Sequence, residues 1–295
     1  MKTALAIDTS TLTASVAVVT GTAELPHFLA EAESSADRRV GRPAALAEPR
    51  SGPAVSQVMN SASHSSPGRP THSEHLLLLV DHVLKSASLG LDDVDGIAIG
   101  RGPGSFTGLR IGMSTAKGLA FAAVKPLWAV SSLAALALGL DAHLDNQPDE
   151  SPDRQTLVLP ILDARRGEVF VGFYRVQNGT VEPVADECVM APDKLRDAVQ
   201  RVLNATACQR VIAVGDGTSV HADALGRDGQ SLLDGLVTVA AGAPATPPAR
   251  AVGRLVLSGS HPDVLVDGAP AYIRPSEAEI KFPAGNPGGT FASRR

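Results

Sequence analysis

Four short stretches of this chain hold the residue types that could do chemistry. Asp8-Thr9-Ser10 places a carboxylate and two hydroxyls directly after an apolar run. Gly100-Arg101-Gly102-Pro103-Gly104-Ser105-Phe106-Thr107-Gly108-Leu109-Arg110 is a loop almost without side chains that leads into apolar residues at helical spacing. Backbone N–H groups at such a helix start, with the dipole behind them, suit an anion or a carbonyl oxygen. Asp163-Ala164-Arg165-Arg166-Gly167-Glu168 and Gly215-Asp216-Gly217-Thr218 each follow another apolar run. The first reads as a charged hairpin tip, facing a cleft or paired with itself. The second reads as a turn beside which a purine or ribose could lie, or as plain turn chemistry.

The long glycine loop fits neither familiar nucleotide fingerprint. A P-loop needs Gly-Lys-Ser/Thr where Gly108-Leu109-Arg110 stands, and a dinucleotide loop needs a third glycine where Thr107 stands. What positions these groups is a series of buried strands and amphipathic helices. Thr3 to Ile7 and Ala14 to Val19 read as a hairpin with Asp8 at its turn. Val94 to Gly100 reads as a strand and Leu109 to Ala123 as a helix, followed by a strand Pro126 to Val130 and a helix Ser131 to Leu140. Leu157 to Leu162 and Val169 to Val176 flank the charged hairpin, with Gly167 where φ must be positive. Beyond them come a helix Pro192 to Leu203, a strand Arg210 to Val214, a helix within Ala245 to Leu257 and a short strand Ala271 to Pro275.

A chain of 295 residues with net charge −5 is long enough for two lobes and offers no general attraction to nucleic acid or anionic lipid. Cys188 and Cys208 are isolated, which fits neither a zinc site nor a disulfide framework and suits a reducing cytoplasm. The start lacks the apolar length of a signal peptide, and no run approaches membrane-spanning length, so no membrane association is expected. Residues 31–70 are rich in Ser, Ala, Pro, Arg and His without periodicity and read as a solvated insertion. Residues 281–295 read as a flexible tail. The expected organisation is a first lobe over 1–125, a second over 126–280, and that tail.

Thr71 and Glu74 form a capping box that opens a helix to about Ala87. Its apolar set is wide: Leu76, Leu79, Val83 and Ala87 in one stripe, Leu77, Val80 and Leu84 in another. Such a helix is either buried on two sides or shared with a partner. His72, His75 and His82 lie on it without the acid of a zincin arrangement, so no metal site is expected there.

Ala6-Ile7-Asp8-Thr9-Ser10, the segment Gly100 to Ala120, the hairpin Asp163 to Phe170 and Tyr272-Ile273-Arg274-Pro275 occur in order and together resemble the bacterial threonylcarbamoyladenosine biosynthesis proteins of the TsaB, or YeaZ, family. The resemblance leaves out the insertion and the tail. It implies an α/β chain of the actin-like, sugar-kinase-like ATPase (ASKHA) fold, two lobes with mixed β-sheets flanked by helices. It implies a dimerisation or scaffold subunit for the transfer of threonylcarbamoyl to N6 of adenosine 37 in tRNAs reading ANN codons. The implied partners are a catalytic TsaD-like subunit, a TsaE-like ATPase, tRNA reached through the complex, and a second copy of the chain as an alternative to TsaD.

The resemblance implies no catalysis by this chain alone. The catalytic paralogue carries a paired-histidine metal motif in the helix after its first glycine loop, and Leu109 to Ala123 has no histidine. The first hairpin also lacks the glycines that let backbone reach phosphates in actin-like phosphotransferases. A vestigial nucleotide cleft would comprise Asp8, Thr9, Ser10, Gly102, Gly104, Ser105, Gly215, Asp216 and Gly217, with ATP or ADP left to the interface of the complex. The implied partner interface is Leu76, Leu79, Val80, Val83, Ile111 and Thr115. Arg110, Ser114, Lys117, Asp163, Arg165 and Arg166 are expected to face the cleft. Two other readings stand beside this one. A small-molecule kinase of the same fold would use Asp8 to position magnesium, and a metallopeptidase would need a metal pair that the sequence does not supply.

Overall fold

The structure, a computed structural model, describes residues 2–21, 26–35, 56–58, 72–144, 156–177 and 179–274. Alternation along the first strands decides the architecture. In β1 (Lys2–Asp8), Ala4 and Ala6 face one way while Leu5 and Ile7 face the other. In β2 (Thr13–Gly21), Ala17 and Val19 oppose Val16 and Val18 in the same manner. With β3 (Pro26–Ser35), β4 (Ser56–Val58), β5 (Gly96–Gly100) and β6 (Leu127–Val130) they form a six-stranded mixed sheet ordered β4-β3-β2-β1-β5-β6. Its larger face packs on α1 (His72–Ser86) and α2 (Phe106–Ala123). Its small-residue face lets another helix come close: α6 (Ala249–Ser258) lies on it at Gly253, where a Cβ would fall 2.6 Å from Val19.

A second six-stranded mixed sheet, ordered β11-β12-β10-β7-β8-β9, is built from β7 (Thr156–Arg165), β8 (Glu168–Gln177), β9 (Thr180–Met190), β10 (Arg210–Val214), β11 (Ser231–Leu232) and β12 (Val237–Val239). Its outer face carries α4 (Leu195–Ala205). Between the sheets lie α6 and α3 (Ser132–Leu144), in one continuous core that joins both inner faces. From Leu133 to Leu140 the apolar side chains of α3 are almost all fully buried, as a helix apolar all round must be.

Several boundaries differ from expectation. Helix α2 starts at Phe106 instead of Leu109, because the Ser105 side chain accepts the Gly108 N–H and caps it three residues earlier. The insertion does not begin at 31: Glu31 to Ser35 complete β3, and Ser56 to Val58 pair with it in parallel. The rest of the insertion, the Thr71 cap, Pro275 and the tail lie outside the described residues. The expected lobe boundary at 125 falls short of β6, which closes the first sheet, and α6 returns to that sheet from the far end of the chain. Ala271 to Arg274 is not a strand. It belongs to a strap after α6 that runs along the edge of β6, where the Val264 N–H donates to the Leu127 carbonyl (2.8 Å) and Asp263 accepts the Leu127 N–H (3.0 Å).

Candidate functional site

Strands β1 and β5 run parallel, so their ends bring the Asp8 turn and the glycine loop side by side. The two fill each other. Asp8, Thr9 and Ser10 are at most 5% exposed. The Ser105 N–H donates to the Ser10 carbonyl at 2.6 Å, and the Thr9 hydroxyl donates to the Gly108 carbonyl at 2.8 Å. A Cβ at Gly104 would fall 2.1 Å from the Ser10 carbonyl oxygen, one at Gly108 2.1 Å from that of Thr9, and one at Gly112 2.0 Å from the Thr9 hydroxyl. The glycines are therefore needed for a close approach, and what approaches is the chain itself.

The Asp8 carboxylate is equally engaged. Oδ1 accepts the Ser10 N–H (2.8 Å) and hydroxyl (2.6 Å), while Oδ2 accepts the Ser132 hydroxyl (2.7 Å). The Ser132 oxygen in turn accepts the Gly102 N–H at 3.1 Å. Gly100 lies against Oδ2, where a Cβ would come within 1.8 Å. Burial pushes the Asp8 carboxyl above its ordinary range, and the hydrogen bonds from Ser10 and Ser132 pull the other way. A phosphate at this loop would have to displace the Ser10 and Thr9 carbonyls, so the residues present do not fit one.

Asp216, Gly217 and Gly215 follow β10, and here too backbone meets backbone. A Cβ at Gly215, whose φ is +110°, would lie 2.2 Å from the Ile161 carbonyl oxygen. Asp216 Oδ1 accepts the Asp163 N–H (3.0 Å), and burial raises its carboxyl above the ordinary value. Asp163, with its side chain 8% exposed, accepts the Arg165 N–H and pairs with the Arg165 guanidinium at 3.2 Å. It also meets His221 Nε2 at 3.0 Å. Within the charged hairpin Asp163 thus pairs with Arg165, while His221 and Arg274 reach it from outside. Its turn has positive φ at Arg165, Arg166 and Gly167, as the Gly167 position required. His221 is a member of this cluster that the sequence reading missed. It falls just past the four-residue helix α5 (Gly217–Val220), with no pattern of its own to mark it.

Arg110, Ser114 and Lys117 share one face of α2, and two of them hold the strap instead of facing a cleft. Arg110 Nε donates to the Tyr272 hydroxyl (3.1 Å), and Lys117 Nζ donates to the Val266 carbonyl (3.2 Å). The strap continues across the glycine loop, where the Ala271 N–H donates to the Arg101 carbonyl (2.7 Å). It reaches the second lobe at Arg274, which donates to the Ala164 carbonyl (2.5 Å) and pairs with Glu168 (2.7 Å). The glycine loop, the charged hairpin and the late Tyr-Ile-Arg stretch, far apart in sequence, therefore meet in one place.

The expected partner residues on α1 are corrected by their burial. Leu76, Leu79, Val80 and Val83 are at most 4% exposed, packed in the outer core of the first sheet. Ile111 is half-buried against the same core, and Thr115 is half-buried. The large apolar groups of α1 and α2 that do reach solvent, among the described residues, are Leu77 and Leu78 on α1, Phe106 at the start of α2, and Phe121 and Val124 at its end. Among the described residues no helix is long and apolar enough to cross a membrane.

Two lobes with mixed six-stranded sheets, helices on their faces and a strand, glycine loop and helix beside an aspartate turn define the actin-like, sugar-kinase-like ATPase (ASKHA) fold. Residues 66–282 match the family model described as TsaD: tRNA N6-adenosine threonylcarbamoyltransferase. The tRNA threonylcarbamoyladenosine biosynthesis protein TsaB of Escherichia coli is 33% identical over 214 residues, covering 72% of this chain and 84% of that protein. Its Bacillus subtilis counterpart is 35% identical over 154 residues, covering 52% of this chain and 60% of that protein. The structure of YeaZ from Pseudomonas aeruginosa superimposes with a TM-score of 0.60 at 25% identity, covering 92% of this chain and 100% of that one. The chain belongs to the TsaB (YeaZ) family.

Proposed function

We propose that this chain serves tRNA threonylcarbamoyladenosine biosynthesis as a non-catalytic partner of a TsaD-like catalytic subunit. The observation that carries the reading is the closed glycine cradle. Gly104, Gly108 and Gly112 are spent on the Asp8-Thr9-Ser10 turn, and every oxygen of Asp8 is engaged within the chain. A fold that elsewhere opens this loop to phosphate is here used to hold two helices and a sheet rigidly together. The kinase reading would need Asp8 free to position magnesium, and the geometry favours the scaffold.

The partner face on this reading is the solvent side of α1 and α2. Leu77 (49% exposed), Leu78 (61%) and Phe121 (77%) provide apolar area there. Ser114 is exposed on the same helix, and a Cβ added at Gly118 would meet nothing within 4 Å, so another helix could approach closely. The TsaD-like subunit is the proposed occupant, or a second copy of the chain in its absence. A TsaE-like ATPase, ATP or ADP at the interface, and tRNA join through the complex, in the cytoplasm.

Reconstitution tests the reading. Modified adenosine is measured in a mixture of tRNA, threonine, bicarbonate, ATP, the adenylate-forming enzyme, the TsaD-like subunit and the TsaE-like ATPase, with and without this chain. Omission is expected to abolish modification, and undiminished modification overturns the proposal. Magnesium-dependent ATP turnover by the isolated chain, lost in Asp8→Asn, would establish the kinase instead.

A further inference from the structure

Phe106 and Tyr272 stand apart from the hydrophobic cores, and each keeps a large part of its ring in water, 41% and 44% exposed. They are nevertheless ordered with respect to each other. Their centroids are 5.0 Å apart with planes inclined by 35°, and the Arg110 guanidinium sits 3.9 Å from the Phe106 centroid. The Arg110 to Tyr272 hydrogen bond closes the triangle. In a chain only 3% aromatic, two rings tilted against each other at the surface, with a guanidinium over one of them, form an aromatic cluster of defined geometry.

Positive charge gathers around this cluster although the whole chain is acidic. Arg101 is exposed, and its carbonyl bond to Ala271 sets it next to Tyr272. Lys117 lies two helical turns beyond Arg110, roughly 10 Å along α2. Arg165, 64% exposed at its side chain, lies beyond Arg274 on the second lobe. Asp163 and Glu168 pair with Arg165 and Arg274 and balance their charge, so the unbalanced cations are Arg101, Arg110 and Lys117, with Asp267 the acid that follows Lys117's partner Val266 on the strap.

We propose that this surface binds an unpaired segment of RNA, a base stacking against Tyr272 and Phe106 while Arg101, Arg110 and Lys117 take the flanking phosphates. Aromatic faces beside cations are the means by which single strands are held, because every base has a π-face and the backbone supplies the charge. A duplex hides its bases and would leave the rings unused, and an acidic peptide would use the cations alone. The proposal rests on the tRNA reading above and adds where on this chain the RNA lies. It centres the contact on the glycine-loop end of α2, with Lys117 one helical turn before Phe121, where it adjoins the face assigned to the protein partner.

The test is a fluorescence-anisotropy titration of the full chain with a labelled, unmodified anticodon stem-loop and, in parallel, with a blunt-ended two-strand RNA duplex with the same number of nucleotides. The stem-loop is expected to bind more tightly. Phe106→Ala with Tyr272→Ala should weaken stem-loop binding by about tenfold or more, the loss of one stacked base, and leave binding of the duplex unaffected. Tyr272→Phe keeps the ring, removes the hydroxyl that holds Arg110, and should retain affinity within about twofold. Photo-crosslinking from 4-thiouridine in the loop, which requires no variant, should label peptides containing Arg101 to Lys117 or Ala271 to Arg274. Equal binding of the two RNAs, affinity indifferent to the double variant, or crosslinks confined to other peptides overturns the proposal. Shielding of Tyr272 by the TsaD-like subunit in place of RNA overturns it as well. The two readings fail separately: variants that keep co-purification and RNA affinity alike refute the RNA surface alone, whereas modification that proceeds without the chain refutes the scaffold.

Discussion

The same substitution at two glycines of α2 should have opposite signs, and this follows from what each glycine touches. Gly108→Ala would place a Cβ 2.1 Å from the Thr9 carbonyl oxygen, a backbone atom that cannot rotate away. Overpacking of this kind costs about 1–3 kcal/mol. Displacing the turn would also strain the Thr9 hydroxyl bond to the Gly108 carbonyl, worth about 1 kcal/mol. Against this, alanine gains about 1 kcal/mol of helix propensity over glycine. The net expectation is a loss of about 1–3 kcal/mol, which for a chain of this size lowers Tm by roughly 2–5 °C. Gly118→Ala on the same helix meets nothing within 4 Å and keeps only the propensity gain, so it should stabilise by about 0.5–1 kcal/mol. Urea unfolding followed by circular dichroism measures both, with the wild type as reference. If Gly108→Ala proves as stable as Gly118→Ala, the loop is not filled by the Asp8 turn, and the case for a closed cradle collapses.

Three other outcomes are expected. Ser132→Ala leaves Asp8 Oδ2 and the Gly102 N–H without their shared partner in a buried place, and should cost about 1–3 kcal/mol in the same unfolding experiment. Leu77→Glu with Phe121→Glu should change stability by less than about 0.5 kcal/mol yet abolish co-purification with the TsaD-like subunit, whereas Leu76→Glu should fail to fold because it buries a charge in the core. Burial raises the Asp216 carboxyl above its ordinary value of 3.8, so the folded state holds that proton more tightly than the unfolded one. Its contribution to stability is full below 3.8 and declines as pH rises through the raised folded value. Asp216→Asn, which keeps an acceptor for the Asp163 N–H, should therefore flatten the stability profile over that rise, measured by thermal unfolding from pH 4 upward.

Periodicity carried most of the fold. The alternation in β1 and β2, the helical spacing after the glycine loop and the apolar run of α3 each led to the right element, because burial on one face, two faces or all round leaves a pattern in the chain. β9 went unread: its sequence, TVEPVADECVM, mixes acids and a proline into an edge strand, which has one side free and so obeys alternation weakly. Glu31 to Ser35 looked like the start of the insertion because the chain from there on is rich in Ser and Ala without periodicity. Glu31 is in fact buried, paired with Arg250 at 2.7 Å and accepting the N–H of Arg250 at the start of α6, a partner more than 200 residues away. Single-chain patterns do not contain such pairings. The same limit applied at the site. Asp8 and the glycine loop were each visible as polar or glycine-rich punctuation, but whether two such elements enclose a ligand or each other depends on sub-ångström approach. On α1 the helical wheel was too apolar to divide, and the first sheet took the leucines expected to meet a partner.

The strap and α6 also impose an order of events on synthesis. The inner face of the first sheet begins with the earliest residues made, yet its cover is α6, and the edge of β6 is met, among the described residues, by Asp263 and Val264. During translation the first lobe must therefore wait, with Ala4, Ala6, Ala17 and Val19 uncovered, until nearly the whole described chain has left the ribosome. Long-range closures of this kind are slow and leave partly formed sheets open to unwanted pairing. A nascent chain stalled before Ala249 should on this account be a chaperone client rather than a folded lobe, even though every strand of its sheet has already been made.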